Sequence, residues 1–285
     1  ASPLSEKEQA MVAWIDANQE SAISLLAETV NIGSGTMNHQ GVRAVGRVMS
    51  TELDALGLAT QWIEMPPEMN RAGHLFARKE GTGKKLLLIG HLDTVFESDD
   101  DFQAFTRTGN IATGPGISDM KDGNAVIIYA LKALQHIGAL DDMSVTVAFT
   151  GDEEMTGKPL SISRKDLIEA GKWADITLGF EGAITSEGSD GATIARRSSS
   201  GWTLKVTGRQ AHSSGVFSDR VGAGASNEAA RILNTFYEEV RGDYGLTVNA
   251  GTIQGGTAIN YDATQNRGTT FGKTNVVPSV AIVDG

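Results

Sequence analysis

A histidine and several carboxylates stand where the apolar segments of this sequence end. His91 and Asp93 follow the apolar run LLLI, and Glu153 and Glu154 follow the apolar run VTVAF. Short runs of this kind predict buried strands. In open α/β sheets, ligands bind in the crevice beyond the carboxyl ends of the strands, so we expect these side chains to meet there. An imidazole among carboxylates matches the ligands that zinc takes in proteins.

Two further carboxylates extend the pattern. Asp119 lies in GPGISDMKDGNA, directly before a predicted helix, and Glu181 follows the segment ITLGF. A carboxylate that bridges two cations would hold them about 3.5–4 Å apart. Taken alone, Asp119 is equally an N-cap of the next helix, and the acidic triplet in TGDEE is equally a solvated loop. Acidic residues at several strand ends favour a metal site, because without cations the carboxylates would repel one another.

The composition is that of a globular protein without disulfides. The 285 residues include no cysteine, so any metal must be held by histidine and carboxylate. The net charge of −11 and the lack of a dense Lys/Arg cluster exclude nucleic acid and anionic membranes as expected partners. No apolar run approaches the ~18 residues of a membrane span. The chain begins at Ala1, which is compatible with a cytoplasmic protein and with a periplasmic or secreted one that has lost a leader.

Predicted strands and helices alternate over the first two thirds of the chain. Such alternation is typical of an α/β domain in which helices cover both faces of a mostly parallel sheet, giving three layers. The predicted strands span 60–65, 75–78, 86–89, 145–149 and 176–180, and the predicted helices span 40–56, 123–136 and 160–170.

After about Arg197 the pattern changes. Alternating polar and apolar residues predict half-exposed strands of an antiparallel sheet, with a helix on one face. We therefore expect a first domain over 1–198, which carries the candidate zinc ligands, and a smaller α+β domain over 199–285. The predicted strands of the smaller domain span 202–206, 246–253 and 276–283, and its helix spans 221–240.

Three motifs resemble the successive signatures of one enzyme family. GHLDTV, GPGISDMKDGNA and TGDEE are similar, in order and context, to motifs of the M20 zinc metallopeptidases, which include carboxypeptidase G2, aminoacylase and succinyl-diaminopimelate desuccinylase. The resemblance covers nearly the whole chain. It implies a site for two zinc ions in which His91 and Glu181 bind the first ion, Glu154 binds the second and Asp119 bridges them.

The same resemblance implies roles for four other residues. Asp93 would orient His91, as metal-bound imidazoles commonly require, and Glu153 would be the general base. His212, in GRQAHSSG, would reach across a homodimer interface formed by the smaller lid domain and polarise the substrate carbonyl. From its sequence context alone, the same histidine is a turn residue. Asn275, in TNVVP, would lie near the substrate.

The end of the chain departs from the family pattern. Members of the family return from the lid domain to the catalytic domain and supply a further histidine ligand near their C-terminus, whereas this chain ends at Gly285. We expect either that the natural protein has a further segment or that the second zinc site is incomplete here. Asp122 stands where the family frequently has glycine, which we interpret as a tolerated loop change.

The sequence therefore predicts a zinc-dependent, carboxypeptidase-like hydrolase that cleaves an amide bond in a small peptide or an N-acyl amino acid. An N-acyl-amino-acid deacylase or desuccinylase is the alternative within the same chemistry. A truncated or non-catalytic fragment that binds metal or dimerises is the alternative from another class. Glu153 beside Glu154 argues against a non-catalytic module, because a module that only binds needs no base next to its ligand.

Overall fold

The computed structural model describes residues 3–182, 184–186, 188–242, 245–262 and 267–285. The chain divides into two compact units, Ala1–Ala192 and Thr193–Gly285.

The first unit alternates helices and strands along the chain. Its helices are α1 (Glu6–Ala17), α2 (Gln19–Val30), α3 (His39–Ala55), α4 (Asp122–His136), α5 (Leu160–Ser163) and α6 (Lys165–Trp173). Its strands are β1 (Ala59–Ile63), β2 (His74–Lys79), β3 (Lys85–His91), β4 (Thr106–Thr108), β5 (Ile111–Thr113), β6 (Ser144–Thr150), β7 (Ile176–Gly179), β8 (Ile184–Ser186) and β9 (Ser189–Gly191). The second unit contains β10 (Thr203–Thr207), α7 (Ala225–Thr235), β11 (Thr252–Gly256), β12 (Ala258–Asp262), β13 (Arg267–Phe271) and β14 (Val280–Asp284).

The main sheet of the first unit has five strands in the order β1-β2-β6-β3-β7. β3 pairs in parallel with β6 and β7, whereas β2 pairs antiparallel with β1 and β6. The α/β class is confirmed, and the sheet is mixed rather than mostly parallel. The connections give the reason: a short link without an α-helix joins β1 to β2, while the link from β3 to β6 includes the helix α4 that a parallel crossover needs.

Alternate residues of the central strands pack against different helices. One face carries Leu88 and Phe149 into the main core, together with side chains of α3 and α4. The other face carries Leu87 and Ala148 into a smaller cluster with Ala170 of α6. Because helices cover both faces, all seven residues of β6 are buried, and the predicted three-layer arrangement is present.

The second unit is built on a three-stranded antiparallel sheet with the order β10-β14-β11. α7 covers one face of it, with Ala225 and Ala229 packed against Val283. β12 and β13 pair antiparallel in a separate two-stranded sheet. The predicted antiparallel sheet with a helix is confirmed, but the helix is shorter than 221–240. It begins only after Gly224, which adopts a φ of +77° that a continuing helix excludes.

Three other predicted elements differ in extent. The predicted strand 276–283 begins only at Val280, after Pro278, which has no amide hydrogen for a sheet. The predicted helix 160–170 is interrupted at Arg164, which separates two shorter helices. The guanidinium of Arg164 donates a hydrogen bond to Asp152. The predicted strand 246–253 begins only at Thr252, which pairs with the last residue of β14. The preceding residues have no strand beside them in that register. Among the described residues, no helix is both long enough and apolar enough to cross a bilayer.

The packing of β3 yields a stability prediction. Leu87 is fully buried, so Leu87→Ala should lower the free energy of unfolding by about 2–5 kcal/mol, through lost burial and the cavity left behind. Urea denaturation followed by circular dichroism measures the change. Leu4→Ala is the matched control, because Leu4 is 51% exposed and its loss should cost less than about 0.5 kcal/mol. Equal effects in the two variants would contradict this core.

Candidate metal centre

The carboxyl ends of three strands meet at one edge of the main sheet. In the parallel register, His91 at the end of β3 lies opposite Thr150 at the end of β6. On the other side of β3, Ile89 lies opposite Gly179 at the end of β7, and Glu181 follows two residues later. The strand ends that precede Glu153 and Glu181 therefore lie at the same edge of the sheet as His91.

Three of these residues form a close group. His91, Asp119 and Glu154 each offer a ligand atom, and these atoms lie within 4.8 Å of one another. The distance from His91 Nε2 to Asp119 Oδ1 is 3.0 Å. His91 is buried and Asp119 is exposed, so the group lies between the protein interior and the solvent. One imidazole and two carboxylates that converge in this way suit a divalent metal ion such as zinc.

Glu153 and Glu181 face the same region without belonging to that close group of described ligand atoms. Glu153 is exposed at this edge of the sheet, and partial desolvation of its carboxyl group raises its pKa. The charge of His91 lowers the same pKa, while the negative charges of Glu181, Asp93 and Asp119 raise it, and the pKa lies above its usual value. Glu181 is therefore near enough to act electrostatically on the predicted base.

Asp93 organises the site from within. Its side chain is fully buried and accepts three hydrogen bonds: from Thr36 Oγ1 at 2.6 Å, from the Glu153 amide at 3.0 Å and from the Glu154 amide at 3.1 Å. His91 Nδ1 lies 3.4 Å from Asp93 Oδ1 and 2.9 Å from its backbone oxygen. Burial alone would raise the pKa of Asp93. The contacts with His91, Thr36 and the Glu153 amide lower this pKa by a larger amount, so it lies below its usual value.

The same contacts set the tautomer of the histidine. Because His91 Nδ1 faces the Asp93 backbone oxygen, it carries the proton that this hydrogen bond requires. His91 Nε2 then points at Asp119 with a free lone pair in the neutral ring. A second hydrogen-bonded nitrogen is the usual way in which proteins orient a metal-binding imidazole.

Burial and neighbouring charges shift the pKa values of two candidate ligands, His91 and Glu154. Burial alone would lower the pKa of His91, but Asp93, Asp119 and Glu153 stabilise the imidazolium and raise this pKa to about 9. Burial and then the charge of Asp119 raise the pKa of Glu154 to about 7. Both groups hold protons near neutral pH unless a cation competes for them, so the donor set fits a divalent metal ion.

Two polar residues near the beginning of α4 anchor the segments that carry His91 and Asp119. Lys121 is buried and donates to the Thr29 and Ile32 backbone oxygens, at 2.9 and 3.0 Å, at the C-terminal end of α2. Burial lowers the pKa of this lysine to about 8. Asn124 Nδ2 donates to the His91 backbone oxygen at 2.6 Å. These contacts tie the Asp119 turn to α2 and the end of β3 to α4.

No pattern in the sequence marks these supporting residues individually. Lys121 and Asn124 lie inside the motif GPGISDMKDGNA, so their proximity to Asp119 was the available signal. Thr36 lies 57 positions before Asp93, and no pattern in the sequence links the two.

The second unit brings His212 and Asn275 together. The Ser213 amide donates to the Asn275 backbone oxygen at 2.9 Å, and His212 pairs with Val276 in an isolated antiparallel bridge. His212 is exposed and caps the short helix that starts at Ser213, with its Nδ1 accepting from the Ser214 amide at 3.2 Å. Nε2 of the neutral ring then carries the proton and is a donor.

The chain is similar to known proteins in both sequence and fold. Residues 87–275 match the sequence model of peptidase family M20/M25/M40. Carboxypeptidase G2 of Pseudomonas sp. strain RS-16 is 33% identical over 217 residues, which cover 75% of this chain and 50% of that protein. A succinyl-diaminopimelate desuccinylase of Cupriavidus pinatubonensis is 27% identical over 279 residues, which cover 92% of this chain and 67% of that protein. The crystal structure of a tripeptidase from Staphylococcus aureus has a TM-score of 0.62 at 18% identity, covering 94% of this chain and 65% of that one.

Fold and site together define an α/β protein with a candidate metal centre at the carboxyl edge of its sheet. The chain belongs to peptidase family M20/M25/M40, which confirms the family that its three motifs predicted. It spans about half the length of carboxypeptidase G2 and two thirds of the length of the desuccinylase.

The raised pKa values predict a pH-dependent metal affinity. His91 and Glu154 must lose their protons to bind a metal, so affinity for Zn²⁺ should fall as the pH decreases from about 9 through about 7. Calorimetric titration in two buffers of different ionisation enthalpy should show proton release on binding. Glu154→Gln, which has no titrating proton at this position, should release fewer protons at pH 6. A metal affinity that does not change over this range would contradict the assignment.

Proposed function

We propose that the protein is a zinc-dependent hydrolase of the amide bond in a small peptide or an N-acyl amino acid with a free carboxylate. The observation that carries this proposal is the convergence of His91, Asp119 and Glu154, with Glu153 directly beside them and outside the ligand group. A site that only stores metal needs no further carboxylate there, whereas a hydrolytic site needs a base.

Four residues would hold two zinc ions: His91 and Glu181 the first, Glu154 the second, and Asp119 both. The exposure of Asp119 between His91 and Glu154 supports the bridging role, because its oxygens are accessible from the crevice. Bound zinc would supply Lewis-acid polarisation of the substrate carbonyl and lower the pKa of a water molecule. Asp93 would keep His91 in the tautomer that leaves Nε2 unprotonated.

Glu153 would take a proton from the attacking water and pass it to the leaving nitrogen. Its backbone amide is fixed by Asp93 at 3.0 Å, so its position relative to the ligands is set by the interior of the protein. Its raised pKa brings the carboxylate closer to the working range of a general base near neutral pH. As the proton moves, Glu153 alternates between base and acid without leaving the site.

His212 and Asn275 would act on the substrate from the second unit, with His212 supplied by the partner chain of a homodimer. The protonated Nε2 that the Ser214 contact favours is the donor needed to stabilise developing negative charge on the carbonyl oxygen. Because the Ser213 amide donates to the Asn275 backbone oxygen, Asn275 of that same partner chain would lie beside His212.

Two substrate classes remain within this chemistry. Similarity to carboxypeptidase G2 favours a carboxypeptidase-like activity, and similarity to the desuccinylase favours removal of an acyl group. A panel of dipeptides and N-acyl amino acids, assayed for released amino acid alongside zinc content, separates them. Zinc binding without turnover of either class would leave the protein as a metal-binding or dimerising fragment.

Adjacent glutamates with different roles predict different defects. Glu153→Gln should keep its zinc but reduce kcat by about 100-fold or more, because the proton acceptor is lost. Glu154→Gln should instead lower zinc content, because a ligand is lost. Elemental analysis and steady-state kinetics on both variants measure this difference. Equal zinc loss in both would contradict the division of roles.

A histidine supplied by the partner chain predicts complementation. Glu153→Gln chains and His212→Ala chains should each be nearly inactive as homodimers. After mixing and subunit exchange, part of the activity should return, because each hybrid dimer contains one site with both groups intact. A mixture that stays inactive although hybrids form would show that His212 does not act across the interface.

A further inference from the structure

Two buried carboxylates hold the turn that carries both glutamates. Asp93 accepts from the amides of Glu153 and Glu154, as described above. Asp152, the residue directly before them, is the second, and its side chain is also fully buried. Its Oδ2 accepts from the Gly157 amide at 2.8 Å, which closes the turn across residues 153–156.

Arg164 contacts this turn at several points. Its Nη1 donates to Asp152 Oδ1 at 2.5 Å, and its Nη2 donates to the Asp152 backbone oxygen at 3.1 Å and to Thr156 Oγ1 at 3.2 Å. Thr156 Oγ1 in turn donates to the Glu153 backbone oxygen at 3.2 Å. A planar guanidinium can meet several acceptors in fixed directions, which a lysine ammonium on a flexible chain does less well.

Arg164 makes these contacts from the break between α5 and α6. Arg164 separates the two helices and lies 18% exposed, so its charge reaches inward to a carboxylate that has no access to water. His74 Nδ1 also lies 4.0 Å from Asp152 Oδ1, but it accepts a hydrogen bond from the Gly151 amide at 3.1 Å. The ring is therefore unprotonated at Nδ1, and Arg164 supplies the positive charge that Asp152 faces.

We propose that Asp152 and Arg164 are positioning residues that fix Glu154 as a metal ligand and Glu153 as a base. Neither group touches the substrate or the metal on this view; they act through the shape of the turn. Functional groups have to be held within about 0.5 Å of their working geometry, so a small relaxation of the turn would weaken metal binding before it unfolds the protein. The catalytic half of this inference rests on the proposed function, whereas the metal-binding half does not.

The test compares Arg164→Lys and Arg164→Gln with the unmodified protein. Affinity for Zn²⁺ and for Co²⁺ is measured by titration, and the visible absorption of bound Co²⁺ reports the geometry of its ligands. Arg164→Gln should weaken metal binding by about 10-fold or more, which is the usual effect of removing a group that supports a ligand, and should alter the Co²⁺ spectrum. Arg164→Lys keeps the positive charge but not the planar guanidinium, so its metal affinity should lie between those of the unmodified protein and Arg164→Gln.

Arg107 provides the matched control. It forms an exposed ion pair with Glu20 at 2.8 Å on the β4–β5 hairpin. Arg107→Lys and Arg107→Gln should leave metal affinity and the Co²⁺ spectrum unchanged. Urea unfolding in the presence of a chelator measures the stability of every variant without a contribution from bound metal.

A milder variant covers the case in which Arg164→Gln does not fold. Thr156→Val removes only the link between the guanidinium and the Glu153 backbone oxygen. It should weaken metal binding in the same direction by a smaller factor, with little loss of stability.

The outcomes separate this inference from the proposed function. Lower stability with unchanged metal affinity and an unchanged Co²⁺ spectrum would overturn it, because Arg164 would then be structural only. Weaker metal binding in the variants, with no amide cleaved by the unmodified protein, would support the positioning role and reject the proposed function. An unmodified protein that binds neither Zn²⁺ nor Co²⁺ would reject both the metal site and the positioning role.

Discussion

The buried carboxylate of Asp93 is the constraint on which the site depends. An ionised carboxylate without water around it is costly unless each of its oxygens is hydrogen-bonded. Here the donors come from separated parts of the chain, namely Thr36 before α3 and the Glu153 and Glu154 amides after β6, and His91 Nδ1 at the end of β3 lies 3.4 Å from the same carboxylate. Satisfying one charge therefore joins a loop and two strand ends in a single arrangement.

The ligands themselves show the opposite tendency. Burial and the neighbouring negative charges both raise the pKa of Glu154. The same negative charges raise the pKa of His91 and so favour its protonated form. Contacts with neighbouring residues hold these candidate ligands together, and a bound cation would offset the repulsion among their charges. Lys121 and Asn124 provide such support by binding backbone oxygens and leaving the ligand atoms of Asp119 and His91 to face the crevice.

The mixed sheet provides the frame for these contacts. Parallel pairing of β3 with β6 and β7 places three strand ends at one edge, which an antiparallel arrangement of the same strands would distribute over two edges. The antiparallel strand β2 also supports the site, because its first residue, His74, lies beside the turn that follows β6. His74 accepts from the Gly151 amide and thereby supports the start of the turn that carries the glutamates.

The sequence by itself determined the α/β class, the family and the strand-end placement of the acidic groups. These depend on short-range patterns: apolar runs, turn residues, and motifs in which a ligand stands at a fixed distance from its strand. The tertiary structure alone decided the partners of Asp93, the anchoring of Lys121 and the contact between Asp152 and Arg164. Thr36 and Asp93, and Thr29 and Lys121, are far apart in the chain, while Asp152 and Arg164 meet across a turn and a short helix. These side chains meet because buried polar groups must find partners, which no local pattern records.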